Sequence, residues 1–163
     1  MIEIDLEGTN LAEVRLDNAR DPEQLRRMEE LVRTGQCHFC REGFERRHAA
    51  PIIYETGSWF ITANNFPYDG SVHHYLIVVK RHITKVSEMR FLEKNELFNA
   101  IEWLELKLKV SGESIFVRSG DMAYTSATLD HLHFHFIVGE RKVGTESNKL
   151  EDLILAPVGY KKK

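Results

Sequence analysis

Two rhythms of apolar positions run along this chain. Asp21-Pro22 reads as a helix N-cap followed by proline at the first helical position. Behind it Leu25, Met28, Leu31 and Val32 recur at helical spacing until Gly35, which delivers the chain into Cys37. From Leu92 to about Val110 the same period returns more strongly. Leu97, Ile101, Leu104 and Leu108 form its inner stripe, Phe98 and Trp103 lie near its edges, and Ser111-Gly112 ends it. Elsewhere the rhythm is that of strands. Residues 51–56 and 59–63 read as two strands joined by the turn Thr56-Gly57-Ser58. A loop around Pro67 and Gly70 leads to a buried strand over 75–79. Residues 114–118 and 132–138 read as two more, and 2–6 and 153–158 as weaker extended segments. Helix, strands, helix, strands predicts an α+β domain on an antiparallel sheet.

Composition narrows the picture. The chain has 163 residues, 42% hydrophobic and 29% charged, which suits one folded domain over 1–163. It divides into an N-terminal extension and helix (1–36), a core (37–140) and a C-terminal segment (141–163). A net charge of −3 argues against wholesale wrapping of nucleic acid, and Lys161-Lys162-Lys163 reads as a solvated end. No signal peptide and no apolar run of membrane-spanning length is visible. The reading is a cytoplasmic protein in a reducing compartment, where Cys37 and Cys40 suggest metal or redox chemistry rather than a structural disulfide.

His131-Leu132-His133-Phe134-His135 carries the chemistry. Side chains alternate along a strand, so the three histidines should share one face and Leu132, Phe134 and Phe136 the other. The apolar face packs on the core. The histidines, spaced by about 7 Å, line a site. Neutral imidazole, with an unperturbed pKa of about 6.5, is a fair nucleophile toward phosphorus. An adjacent imidazole can bond a phosphate oxygen or protonate a leaving group. A solvated histidine row and a pure metal site are the competing readings. Two thiolates and two imidazoles make a normal tetrahedral zinc set. Spacing alone does not choose which of the histidines at 38, 48, 73, 74, 82, 131, 133 and 135 would join the cysteines.

Taken together these segments resemble the histidine triad (HIT) superfamily. Residues 131–137 fit its signature His-φ-His-φ-His-φ-φ, with φ apolar. Asn64-Asn65-Phe66-Pro67-Tyr68 and the stretch from His74 to Lys80-Arg81-His82 resemble its upstream motifs, and Cys37-His38-Phe39-Cys40 its N-terminal Cys-x-Phe-Cys. The resemblance implies a HIT-like fold: a five-stranded antiparallel sheet with a long helix packed on it, usually paired as a homodimer. It implies a nucleotide substrate, with His133 as the nucleophile that becomes a nucleotidyl-histidine. His135 would meet the phosphate and leaving group, and His74 would buttress the triad. Asn64 or Asn65 would lie near ribose and phosphate, and Phe66 near the base. In the zinc-carrying branch, similar to galactose-1-phosphate uridylyltransferase and some diadenosine tetraphosphate phosphorylases, the metal falls on Cys37, Cys40, His82 and His131.

The chain departs from the family pattern at His73, where glycine is usual, and at Val79, where proline is common. The loop over 68–74 is about two residues longer. The segment before the triad reads Thr125-Ser126-Ala127-Thr128-Leu129-Asp130, so Ser126 or Thr128 would donate to the α-phosphate. Two function classes follow. One is a nucleotide hydrolase, phosphorylase or transferase, with a nucleic-acid 5′ end as an allowed substrate. The other is a non-catalytic nucleotide sensor or interaction module. A purely structural zinc protein would be a third.

Overall fold

A computed structural model describes residues 14–145 and 149–163. The extended segment read at 2–6 lies outside the described residues. Helix α1 (Pro22–Thr34) begins where Asp21 accepts the backbone N–H of Gln24. It ends at Gly35, whose φ of 64° closes the last turn in the left-handed region. The chain then turns through Cys37–Cys40 into α2 (Arg41–Arg47), for which the sequence predicted no element. Strands β1 (Ile52–Glu55), β2 (Trp59–Ala63) and β3 (His73–Val79) follow, then the long helix α3 (Phe91–Leu108). Strand β4 (Ser114–Val117), the single turn α4 (Met122–Thr125) and β5 (His133–Val138) complete the regular elements.

The five strands form one antiparallel sheet in the order β1-β2-β3-β5-β4. Residues 153–158 form no strand and run as an extended strap. Alternation divides the sheet into two faces. Trp59, Ile61, Ile77, Val79, Phe136 and Val138 meet Leu97, Ala100, Ile101 and Leu104 of α3 in the main core. Each such side chain contributes about 1.5–3 kcal/mol by leaving water. The buried Glu93 accepts two hydrogen bonds from Arg81 at 2.9 Å and caps α3 through the N–H of Arg90, so the helix start is tied to the end of β3. Phe98 is exposed, and Trp103 stacks on Tyr54.

The other face carries Phe60, Leu76 and Val78, covered by Cys37, Phe39 and Phe44 from the turn before α2 and from α2 itself. His133 pairs with Val78 and His135 with Leu76, so both belong to this second face. The sheet and α3 thus make the platform, and the N-terminal elements make the lid over the histidine side.

Candidate active site and metal cluster

The three triad histidines do not line one pocket. Strand β5 begins at His133; just before it Leu132 donates its N–H to the carbonyl of Ile83 at 2.7 Å while its own carbonyl accepts the N–H of Val79 at 3.4 Å. His131 stands just before the strand and keeps the alternation: Leu132 packs in the main core, whereas His131 lies on the Phe39 side with His133, as expected, but turns toward the cysteines and not into the cleft that His133 and His135 line. Its Nε2–H donates to the Val79 carbonyl at 2.7 Å, which leaves the Nδ1 lone pair free. That nitrogen lies 3.2 Å from Cys37 Sγ, 3.8 Å from Cys40 Sγ and 3.2 Å from His82 Nδ1, and Cys40 Sγ lies 3.4 Å from His82 Nδ1. A tetrahedron with metal–ligand bonds of about 2.0–2.3 Å has edges of roughly 3.3–3.8 Å. The four ligand atoms all lie within 4.8 Å of one another and could hold a metal ion. Contact with the Cys40 thiol first, then with His131 and His82, holds the Cys37 thiol far below the ordinary range. Cys40 is pushed the other way by the same contact.

His133 keeps its place on the strand. Its Nδ1 lies 2.6 Å from the carbonyl of His131, which can only accept, so the ring proton sits there and Nε2 carries a lone pair. Dense packing around the ring pushes its pKa down to about 4, so it is neutral near pH 7. Phe39 meets it edge-on at 4.9 Å and His135 lies 5.0 Å away, centroid to centroid.

His135 and His74 form a relay. The backbone N–H of Tyr68 donates to His74 Nδ1 at 3.0 Å, and burial holds His74 neutral with a pKa of about 4. Its only hydrogen is thus on Nε2, which faces His135 Nδ1 at 2.9 Å. His135 accepts there and carries its own hydrogen on Nε2. Burial also lowers its pKa. The amide nitrogen of Asn64 sits 3.1 Å from Nε2 and 3.5 Å from Nδ1 of His74, while its Oδ1 accepts the N–H of Phe66.

A cleft opens beside His133 and His135. Asn64, Asn65, Phe66, Ser126 and Thr128 all line it. Asn65 reaches His48 at 3.3 Å, and the Ser126 hydroxyl donates to the carbonyl of Pro157 at 3.1 Å. Lys80 and Arg81 turn away, to Glu55 and Glu93. The sequence reading missed three cationic residues of this cleft, Arg20, Arg27 and Arg118. Arg20 lies over the Tyr68 ring, 4.6 Å from its centroid, and Arg27 over Phe66 at 5.0 Å. Arg118 Nη1 is 3.1 Å from His135 Nε2, its Nη2 donates to the Tyr68 hydroxyl at 2.7 Å, and its Nε donates to the Pro157 carbonyl at 3.1 Å. Alternation along β4 held the signal for Arg118, because Phe116 is paired with His135 and the residue two further on shares its face.

The sequence matches the HIT domain family over residues 45–142, more than half of the chain, and the protein belongs to that family. No curated protein matches it by sequence. Solved structures share the fold. A HIT family hydrolase from Clostridium thermocellum is 24% identical with a TM-score of 0.53, covering 68% of this chain and 95% of its own. A histidine triad nucleotide-binding protein from Candida albicans is 20% identical with a TM-score of 0.53, covering 70% and 85%. A zinc-bound histidine triad family protein from Mycobacterium smegmatis is 21% identical with a TM-score of 0.50, covering 64% and 75%.

Proposed function

We propose that the chain is a nucleotide hydrolase or nucleotidyl transferase that works through a nucleotidyl-histidine on His133. The observation that carries this reading is the fixed tautomer of His133: its proton is tied to the His131 carbonyl, and the lone pair of Nε2 is left for phosphorus. His135, with hydrogen on Nε2, donates to a phosphoryl oxygen or to the leaving group, and His74 holds it in that state. Asn64, Asn65 and Phe66 receive ribose and base, and Ser126 or Thr128 the α-phosphate. Positioning and fixed donors supply most of the rate in such transfers.

Zinc is the metal we assign to Cys37, Cys40, His82 and His131, as in the zinc-carrying branch. It would supply no reaction step there, because four protein ligands leave no open position, and it would lock the turn before α2 to the base of β5. A homodimer belongs to the same reading, supported by the exposed Phe91, Leu92, Phe98 and Leu106 on α3.

Single-turnover trapping of a labelled nucleotide tests the proposal. Label should stay on the wild-type protein and be absent from His133→Ala, which should fold and lose turnover. Near-normal rates in that variant would end the reading. One observation favours a second reading, a non-catalytic nucleotide sensor: the Pro157 carbonyl already accepts from Ser126 and Arg118 inside the cleft. That reading predicts nucleotide binding with no label on His133.

A further inference from the structure

The relay has a consequence at its outer end. Tyr68 donates to His74, His74 to His135, and His135 is left with its hydrogen on Nε2. Arg118 Nη1, which can only donate, lies 3.1 Å from that same nitrogen. Two N–H groups facing each other make no hydrogen bond. Both lack an acceptor, and both border the cleft beside the Nε2 of His133. Among the described residues no carboxylate forms an ion pair with Arg118, whose other hydrogen-bond partners are neutral oxygens of Tyr68 and Pro157 and whose guanidinium lies over the Phe116 ring. A single anionic oxygen set between the two donors would satisfy both.

We propose that Arg118 is a specificity-determining residue that, with His135, binds an anionic leaving group, so that the enzyme takes nucleotides whose α-phosphate is joined to a further phosphate. This rests on the nucleotidyl-histidine reading above. His133 Nε2 forms a bond to the α-phosphorus, the P–O bond to the next phosphate breaks, and its electron pair leaves on that oxygen. No proton is needed, because a phosphate leaves as an anion; it needs positive charge, which Arg118 carries. Water then adds to phosphorus and releases a proton to solvent, and the P–N bond returns its pair to Nε2. A substrate with an amine leaving group needs the opposite help, a proton, and gains little from a guanidinium. Arg20, which also lacks a described ion-pair partner, adds a second positive charge near Arg118 for a longer phosphate chain.

The test compares two substrates with the same nucleotide, a dinucleoside polyphosphate and a nucleoside 5′-phosphoramidate, on wild type, Arg118→Gln and Arg118→Lys. Loss of one or two charge-assisted hydrogen bonds corresponds to roughly 10- to 150-fold. Arg118→Gln should lower kcat/KM about 100-fold on the polyphosphate and only about fivefold on the phosphoramidate. Arg118→Lys should recover part of the first loss. Equal losses on both substrates, or no loss on either, would overturn the assignment. Calorimetric titration with inorganic pyrophosphate gives a readout independent of turnover. Wild type should bind it, Arg118→Gln at least about tenfold more weakly. A wild type that ignores pyrophosphate, or a variant that binds it equally well, overturns the proposal. If wild type turns over neither substrate and His133 takes no label, the nucleotidyl-histidine reading fails, and the pyrophosphate titration still decides the role of Arg118.

Discussion

His74 illustrates how much of this site is decided by single hydrogens. It touches no open surface of consequence, being 5% exposed, yet a backbone N–H at one nitrogen fixes the tautomer of the next ring. The same burial has a pH signature. His74 stays neutral in the folded state down to a pKa of about 4, while the unfolded chain takes up its proton near 6.5. The unfolded state therefore binds more protons between those values, and stability falls as pH drops from about 6.5 to about 4. One such group accounts for roughly 3 kcal/mol. Denaturation at pH 7 and pH 4.5 should show this loss, and His74→Gln should show a smaller one. A variant with an unchanged pH slope would mean that His74 titrates normally. The positioning role has its own readout: in His74→Gln, kcat should fall about tenfold or more while KM moves little, since only the donor state of His135 is disturbed.

At the scale of elements, α2 and the cysteine turn act as one unit. Gly43 of α2 packs so closely that a Cβ there would lie 2.0 Å from the carbonyl oxygen of Cys37. That atom is backbone and cannot swing aside, so Gly43→Ala must push α2 away from the turn. We expect the variant to lose the ligand geometry of Cys37 and to bind metal substoichiometrically, measured by elemental analysis of the purified protein. Full metal content would show that the turn yields without opening the cluster. The anchoring of α3 is separate, through Glu93 to Arg81 and through the indole N–H of Trp59 to the Glu93 carbonyl at 2.7 Å. Glu93→Gln should lower stability by roughly 1–3 kcal/mol without touching the metal, because the pair and the cap lie on the opposite face of the sheet.

For the molecule as a whole, the cluster of Cys37, Cys40, His82 and His131 joins parts far apart in sequence: the N-terminal turn, the end of β3 and the start of β5. Chelation should lower Tm by about 10 °C, since a structural site contributes directly to folding; an unchanged Tm after verified metal removal would show that packing alone holds the turn. The strands, the two longer helices and the caps of α1 were legible in the chain, because the apolar periods and the Asp21, Pro22 and Gly35 punctuation are local properties, whereas α3 ends at Lys109, before the expected Ser111-Gly112. The four metal candidates and the cleft residues Asn64, Asn65, Phe66, Ser126 and Thr128 were legible through motif resemblance. Alternation also put His133 and His135 on one face. It put His131 there too, but that this ring serves the cysteines while the other two line the cleft depends on His82 and the Cys37–Cys40 turn, partners in other segments. Helix α2 was too short to show a period. The face of Arg118 followed from alternation, but its meeting with Pro157 was hidden: it depends on how the edge strand and the C-terminal strap cross, and nothing local to either records it. Sequence thus determined the elements and the kinds of chemistry available. Tertiary structure alone decided which imidazole nitrogen carries each proton and which charge stands beside it, since those follow from donors and acceptors brought together from distant segments.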